Sequence, residues 1–332
     1  MNPYIGSSFF EFLGRFIWRI PEIVRSLLGG SGVLATDEVQ LLVLVCVALS
    51  CGWVGSLLVL RRMTMLANSL SHTILLGIAA AFLLSRIGLG PESMVEGAIP
   101  LVPMFIAAIL TGILTTFLTQ SLVRWFRLHE DASTGLVFTT LFALGIVIVT
   151  LFTRNAHIGL EIVMGNADGL GLEDLKLAVS VLLVNLVACG VLLRPYQTTT
   201  FDPGFGACVG YSANRYGYIL MTQVALTAVA GFRAVGVLMV LALLVGPVLA
   251  ARRWSRSLTQ LILWSGLVGA LCAVAGVATA RAVLSAFQVP LSTGACVVTW
   301  VSVVALVCIF LPDMGWIASR WQRGARPSAE GS

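Results

Sequence analysis

Nine apolar runs, each of about 16–24 residues, follow one another from residue 39 to residue 311 with only short polar links between most of them. A helix rises 1.5 Å per residue, so about 20 residues cross the ~30 Å hydrocarbon layer of a bilayer. The runs lie near 39–60, 72–87, 98–120, 133–153, 175–194, 216–232, 234–251, 257–280 and 291–311. They predict an all-α polytopic membrane protein with about 8–9 transmembrane helices. Composition agrees: 58% of residues are hydrophobic and 11% charged, against roughly 25% charged in soluble domains. No water-facing core could hide so much apolar surface, so the bilayer is this chain's solvent.

The stretch 216–251 is too long for one crossing. Gly231-Phe232-Arg233-Ala234-Val235-Gly236 interrupts it, which predicts two short crossings joined by a tight turn. Before the first run, Phe9 to Leu28 carries Glu11, Arg15, Arg19, Glu22 and Arg25. That is too charged for a signal-peptide core and too charged to span easily. Its apolar residues Phe12, Phe16, Ile20, Ile23, Val24 and Leu27 fall toward one side, as in an interfacial amphipathic helix bent at Pro21. The chain therefore divides into an N-terminal extension (1–38), a transmembrane domain (39–315) and a cytoplasmic tail (316–332).

Charge sets the orientation. Arg61, Arg62, Arg124, Arg127, Arg194, Arg215, Arg252, Arg253, Arg256, Arg320, Arg323 and Arg326 all fall on one side, which the positive-inside bias makes cytoplasmic. Glu92, Glu96, Glu161, Asp168, Glu173 and Asp174 collect on the other, where they could attract cations or a cationic partner. Arg233 and Arg281 are expected to reach an interface with their charged ends. The net charge of +5 is spread over segment ends, so nucleic acid is not an expected partner. The seven cysteines make no Cys-x-x-Cys and read as small buried hydrophobes. Lys176 is the only lysine, and no Gly-x-x-x-x-Gly-Lys is present. The chain has no phosphate-cradling loop of its own, and nothing marks it as an enzyme.

Two features point to chemistry. Asn68 and His72 are four residues apart, on one face of a helix entering the membrane. A polar pair there is costly and marks a functional site. An imidazole and an amide oxygen suit Zn, Mn or Fe but half-fill a coordination sphere, so further ligands must come from other helices or a second subunit. The second feature is the cytoplasmic link Pro195 to Tyr218. Within it Asp202 before Pro203 reads as an N-cap with proline at the first helical position, opening a short surface helix.

Gly55-Ser56-Leu57-Leu58-Val59-Leu60-Arg61-Arg62-Met63, Asn68-Ser69-Leu70-Ser71-His72 and Leu75-Leu76-Gly77-Ile78-Ala79 resemble a helix signature of the permease subunits of zinc/manganese/iron ABC importers. Phe201-Asp202-Pro203 through Gly210, and Gly231 through Pro247 to Arg252, resemble two further segments, and Gly165 to Leu175 resembles the family's outer loop. The likeness covers about residues 40–311 and implies an ABC importer permease bundle in the cell inner membrane. It implies no cofactor beyond the transported divalent metal ion. Its expected partners are a cytoplasmic ATP-binding subunit that hydrolyses ATP, an extracytoplasmic metal-binding protein and a second permease subunit, alike or paralogous. By resemblance, His72 matches the metal-pathway histidine, and Phe201, Asp202, Pro203 and Gly210 match the start of the segment that couples to the ATPase. The family usually has Asp where this chain has Asn68. The lost carboxylate removes charge neutralisation for a divalent cation, and a heterodimer whose partner carries the Asp is the preferred explanation. A permease of this type for a metal chelate such as a siderophore is one alternative. An independent secondary transporter is another, although the runs contain no mid-membrane acid for ion coupling.

Overall fold

The computed structural model describes residues 9–27, 35–65, 67–70, 72–73, 76–77, 79–80, 101–152 and 167–310. The ends of the second and third predicted runs at 81–87 and 98–100, the outer acids Glu92, Glu96 and Glu161, and the tail lie outside the described residues. Within them every regular element is a helix. They are α1 (Phe9–Leu27), α2 (Thr36–Leu60), α3 (the helical residues between 64 and 80), α4 (Leu101–Phe126), α5 (Glu130–Phe152), α6 (Leu172–Phe201), α7 (Pro203–Cys208), α8 (Ala213–Val235), α9 (Val237–Ala251), α10 (Leu258–Phe287) and α11 (Thr293–Phe310). Nine of these answer the nine predicted runs in order. Six, namely α2, the Asp131–Ile148 part of α5, α6, α8, α10 and α11, are long and apolar enough to cross a membrane by themselves. The fold is a multi-pass helical membrane protein.

α2 is the central post. It packs against α6, α8, α9 and α10 and buries Leu41, Val43, Leu44, Val47, Ala48, Cys51, Val54, Leu57 and Leu58. A helix apolar on all sides is stable only when surrounded. Gly55 lets α9 come close: a Cβ there would stand 2.1 Å from the Leu244 carbonyl oxygen. In lipid, where helix association relies on packing, small residues at contacts serve this purpose. α10 and α11 pack on each other and on α9, while α4 sits on α8 and α5.

The break in 216–251 falls at Gly236, whose φ of 87° ends α8 and begins α9. A side chain would be strained in that conformation. Between them α8 and α9 make the tight turn expected from the sequence. All seven cysteines are free.

Two helices outrun the apolar pattern. α6 continues through Pro195 to Phe201, so the expected link beginning at Pro195 is helical for its first seven residues. The hydroxyls of Thr198 and Thr199 donate to the carbonyls of Arg194 and Pro195, stabilising a last turn that proline would weaken. α10 runs to Phe287 instead of ending near 280 and closes on Gln288 in the left-handed region. This extension carries Arg281 to the acidic end of α2.

The outer end is held by charge. Arg281 pairs with the buried Asp37 carboxylate, and Arg233 pairs with Asp174 at 3.2 Å. The two arginines therefore reach specific carboxylates, a sharper outcome than a general position at the interface. Glu38 accepts from the Ala35 backbone N–H at 2.9 Å and pairs with Arg19 of α1 at 3.1 Å. Gln40 donates to the Ala167 carbonyl, the Asp168 carboxylate and the Thr293 hydroxyl, and Thr293 donates to Asp168. The network fastens the outer loop across α2 and α11. α1 lies against α10 and buries Phe12 and Ile23, the side expected from its amphipathic pattern. Its Phe10, Ile17 and Trp18 remain exposed.

Candidate metal route and coupling segment

α2 ends at Leu60, and Arg61, Arg62 and Met63 turn the chain into α3. Arg62 takes a left-handed φ of 60° there. Asn68 and His72 follow one turn apart, and the structure places Asn68 at an exposed position and His72 at a half-buried one. The imidazole packs against two phenyl rings of α5, at 5.1 Å from Phe138 and 5.4 Å from Phe142. Those rings are themselves 6.0 Å apart, being one turn apart on α5. Gly145 lets the α3 backbone approach: a Cβ there would stand 3.1 Å from the Leu76 nitrogen. Two flat apolar walls orient the imidazole without consuming a ring nitrogen. Among the described residues no three His, Cys, Asp or Glu side chains come together as a metal site. The pair thus stays a partial ligand set within one chain.

The turn before α3 is tied to the end of α6. Arg61 Nη2 donates to Thr199 Oγ1 at 2.8 Å and Nε to Thr200 Oγ1 at 3.0 Å. Its guanidinium also lies 5.9 Å from the Tyr196 ring centre. Tyr196 continues inward: its hydroxyl donates to Gln223 Oε1, Gln223 Nε2 donates to Asn185 Oδ1, and Asn185 Nδ2 donates to Thr227 Oγ1. These groups are buried and satisfied, as polar groups inside a bundle must be. Sequence reasoning counted Arg61 only as an orienting charge and did not single out Asn185 or Gln223. Nothing local to either residue names its partner, because the partners lie 38–139 positions away.

One residue after Thr200, the cytoplasmic segment begins. Asp202 Oδ1 accepts from the Phe205 N–H at 2.9 Å and Pro203 occupies the first turn of α7, as the Asp-Pro pair predicted. Gly210, at φ 90°, turns the chain out of α7, and Tyr211 N–H closes on the Gly206 carbonyl at 2.7 Å. Phe201, Phe205 and Val209 recur every four residues and are 66%, 57% and 51% exposed. This apolar stripe sits at the arginine-rich end of the bundle. The sequence reading named Phe201 but missed Phe205 and Val209, which an i, i+4, i+8 count would have found.

Carboxylates in the bundle helices cluster at helix ends among the described residues: Asp37 and Glu38, Glu130 and Asp131, Glu173 and Asp174. The helix interiors offer imidazole, amide and hydroxyl groups instead.

Residues 38–312 match the family described as the ABC 3 transport family. A probable metal transport system membrane protein of Chlamydia pneumoniae is 34% identical over 337 residues, covering 99% of this chain and 98% of that protein. The manganese transport system membrane protein MntD of Bacillus subtilis is 36% identical over 245 residues, 70% of this chain and 79% of its own. Among solved structures, PsaBC from Streptococcus pneumoniae in complex with Fab superposes with a TM-score of 0.69 at 22% identity, covering 91% of this chain and 99% of that chain.

Proposed function

The chain belongs to the ABC 3 transport family, and from that membership we propose that it lines the route of an importer for a divalent transition-metal ion, driven by a separate ATP-hydrolysing subunit. One observation carries the reading. The helix bearing Asn68 and His72 starts from a turn that Arg61 fastens to Thr199 and Thr200, directly before the coupling segment at Phe201. Movement imposed on that segment is transmitted to the residues that touch the ion.

The mechanism follows from the pieces. An external metal-binding protein docks on the outer face and releases the ion. His72 offers a ring nitrogen and Asn68 its carbonyl oxygen, a nitrogen–oxygen pair suited to Zn, Mn or Fe. A second permease subunit supplies the remaining ligands, and with Asn68 in place of a carboxylate a paralogous partner carrying Asp is favoured. The ATPase grips the exposed stripe Phe201–Phe205–Val209, with Asp202, Pro203 and Gly210 fixing the segment's shape. Nucleotide binding then favours one packing of the bundle over another, and the ion gains access to one side at a time. The manganese system that MntD names supports a metal cargo, and the absence of carboxylates from the bundle helix interiors among the described residues disfavours an ion-coupled secondary transporter.

Reconstitution into vesicles with the ATPase and the second permease tests this. ATP-dependent accumulation of radiolabelled manganese or zinc is expected, with none from the chain alone. Accumulation without the ATPase would overturn the reading, and uptake of a siderophore but no free ion would favour a chelate permease.

A further inference from the structure

Below Asn68, toward the cytoplasmic end, α3, α4, α5 and α8 leave a small cavity. Its walls include Met63, Met65 and Met221, with Thr119, Gln120 and Asp131. It offers about 10 Å³ to the centre of a water-sized sphere, which is room for one water or one ion. Three thioethers meeting a carboxylate, an amide and a hydroxyl in so small a space is an uncommon lining.

The Thr119 hydroxyl is an independent sign of a missing occupant. Thr111 and Thr115, on the same face of α4, donate to the carbonyls four residues earlier. Thr119 does not: its Oγ1 is buried without a hydrogen-bond partner, in a residue 2% exposed. A buried hydroxyl left unpaired is destabilising, so something polar belongs beside it. Gln120 turns its Nε2 to the Met221 sulfur at 3.6 Å, which leaves its carbonyl oxygen with lone pairs to offer.

The cavity is also on the route. Met65, Asn68 and His72 stand at i, i+3 and i+7, along one face of α3. At 1.5 Å per residue Met65 lies ~10 Å from His72 toward the cytoplasm. An ion leaving His72 and Asn68 inward passes this point next.

We propose that this cavity is a second binding station for the transported ion, in which the thioethers of Met63, Met65 and Met221 join the oxygens of Asp131, Gln120 and Thr119 around a transition-metal cation. It rests on the metal-importer reading above and adds a selectivity element to it. Hard cations such as Mg²⁺ and Ca²⁺ gain nothing from thioether sulfur, whereas Zn²⁺ does, and Mn²⁺ follows more weakly in the usual affinity order. A water molecule would satisfy Thr119 but would leave the three sulfurs without a role.

The test uses the assembled importer. Met63→Leu, Met65→Leu and Met221→Leu together conserve volume and leave packing nearly unchanged. Two readouts are taken: a zinc absorption-edge spectrum of the zinc-loaded complex, and ATP-dependent zinc uptake against rising Mg²⁺. The proposal expects a metal–sulfur shell that the triple variant loses, and inhibition at about tenfold lower Mg²⁺, a change of ~1.4 kcal/mol. Met65→Leu alone, at an exposed position, should move both readouts the same way. A wild-type complex that imports zinc while the triple variant keeps the same sulfur shell and the same Mg²⁺ sensitivity overturns the proposal and leaves the importer reading standing. A wild-type complex that imports no metal at all overturns both.

Discussion

Arg61 is the residue on which ion handling and energy input meet. It reaches across from the α2–α3 turn to two threonine hydroxyls and an aromatic face at the end of α6. Lysine keeps the charge but not the forked donor geometry. Arg61→Lys should therefore assemble normally with the ATPase yet transport several-fold more slowly, seen as ATP hydrolysis that no longer tracks metal uptake. Unchanged coupling in that variant would show the contact to be only structural. The outer pair makes a different prediction. Asp37 is 2% exposed, and removing one partner of a buried ion pair costs about 3–5 kcal/mol. Arg281→Ala should lower thermal stability in detergent by a large step, while Asp37→Asn with Arg281→Gln recovers part of it. Asn68→Asp restores a carboxylate beside the ion and should lower the KM for metal uptake. A KM left where it was would place Asn68 away from the ion.

At the scale of elements, the breaks between helices were the most readable part. A run of about 36 residues cannot be one straight crossing, and Gly236 supplies the backbone conformation that splits it. Gly236→Ala should destabilise the bundle by about 1–3 kcal/mol through backbone strain, measured as a lower unfolding midpoint in detergent. The cap at Asp202 was equally legible, because it depends on residues three apart. What the pattern hid was helix length beyond the hydrocarbon. α6 and α10 each continue past their apolar windows on polar residues, Thr198 to Thr200 in one and Arg281 in the other. Their helicity is fixed by contacts to α2 that no local window contains. Likewise His72 could be marked as a costly polar residue in a membrane helix, but its Phe138 and Phe142 walls come from a helix more than 60 residues on.

For the whole molecule, the partition of roles follows from what each end of the bundle exposes. The outer end spends its charges on internal pairs, Asp37 with Arg281 and Asp174 with Arg233, which brace that face for docking. The inner end leaves Phe201, Phe205 and Val209 bare in a region where no lipid covers them. Phe205→Glu should reduce co-purification of the ATPase without lowering the amount of folded permease, and full recovery of the ATPase would move the docking site elsewhere. Between the two ends runs a half-furnished ligand set that a second permease completes. The most direct measurement is ATP-driven metal uptake by the reconstituted importer carrying His72→Ala. The account predicts that uptake falls about tenfold or more, on the order of 1.4 kcal/mol or greater, while the complex stays assembled and continues to hydrolyse ATP. Uptake at the wild-type rate would contradict it, because the imidazole would then have no contact with the passing ion.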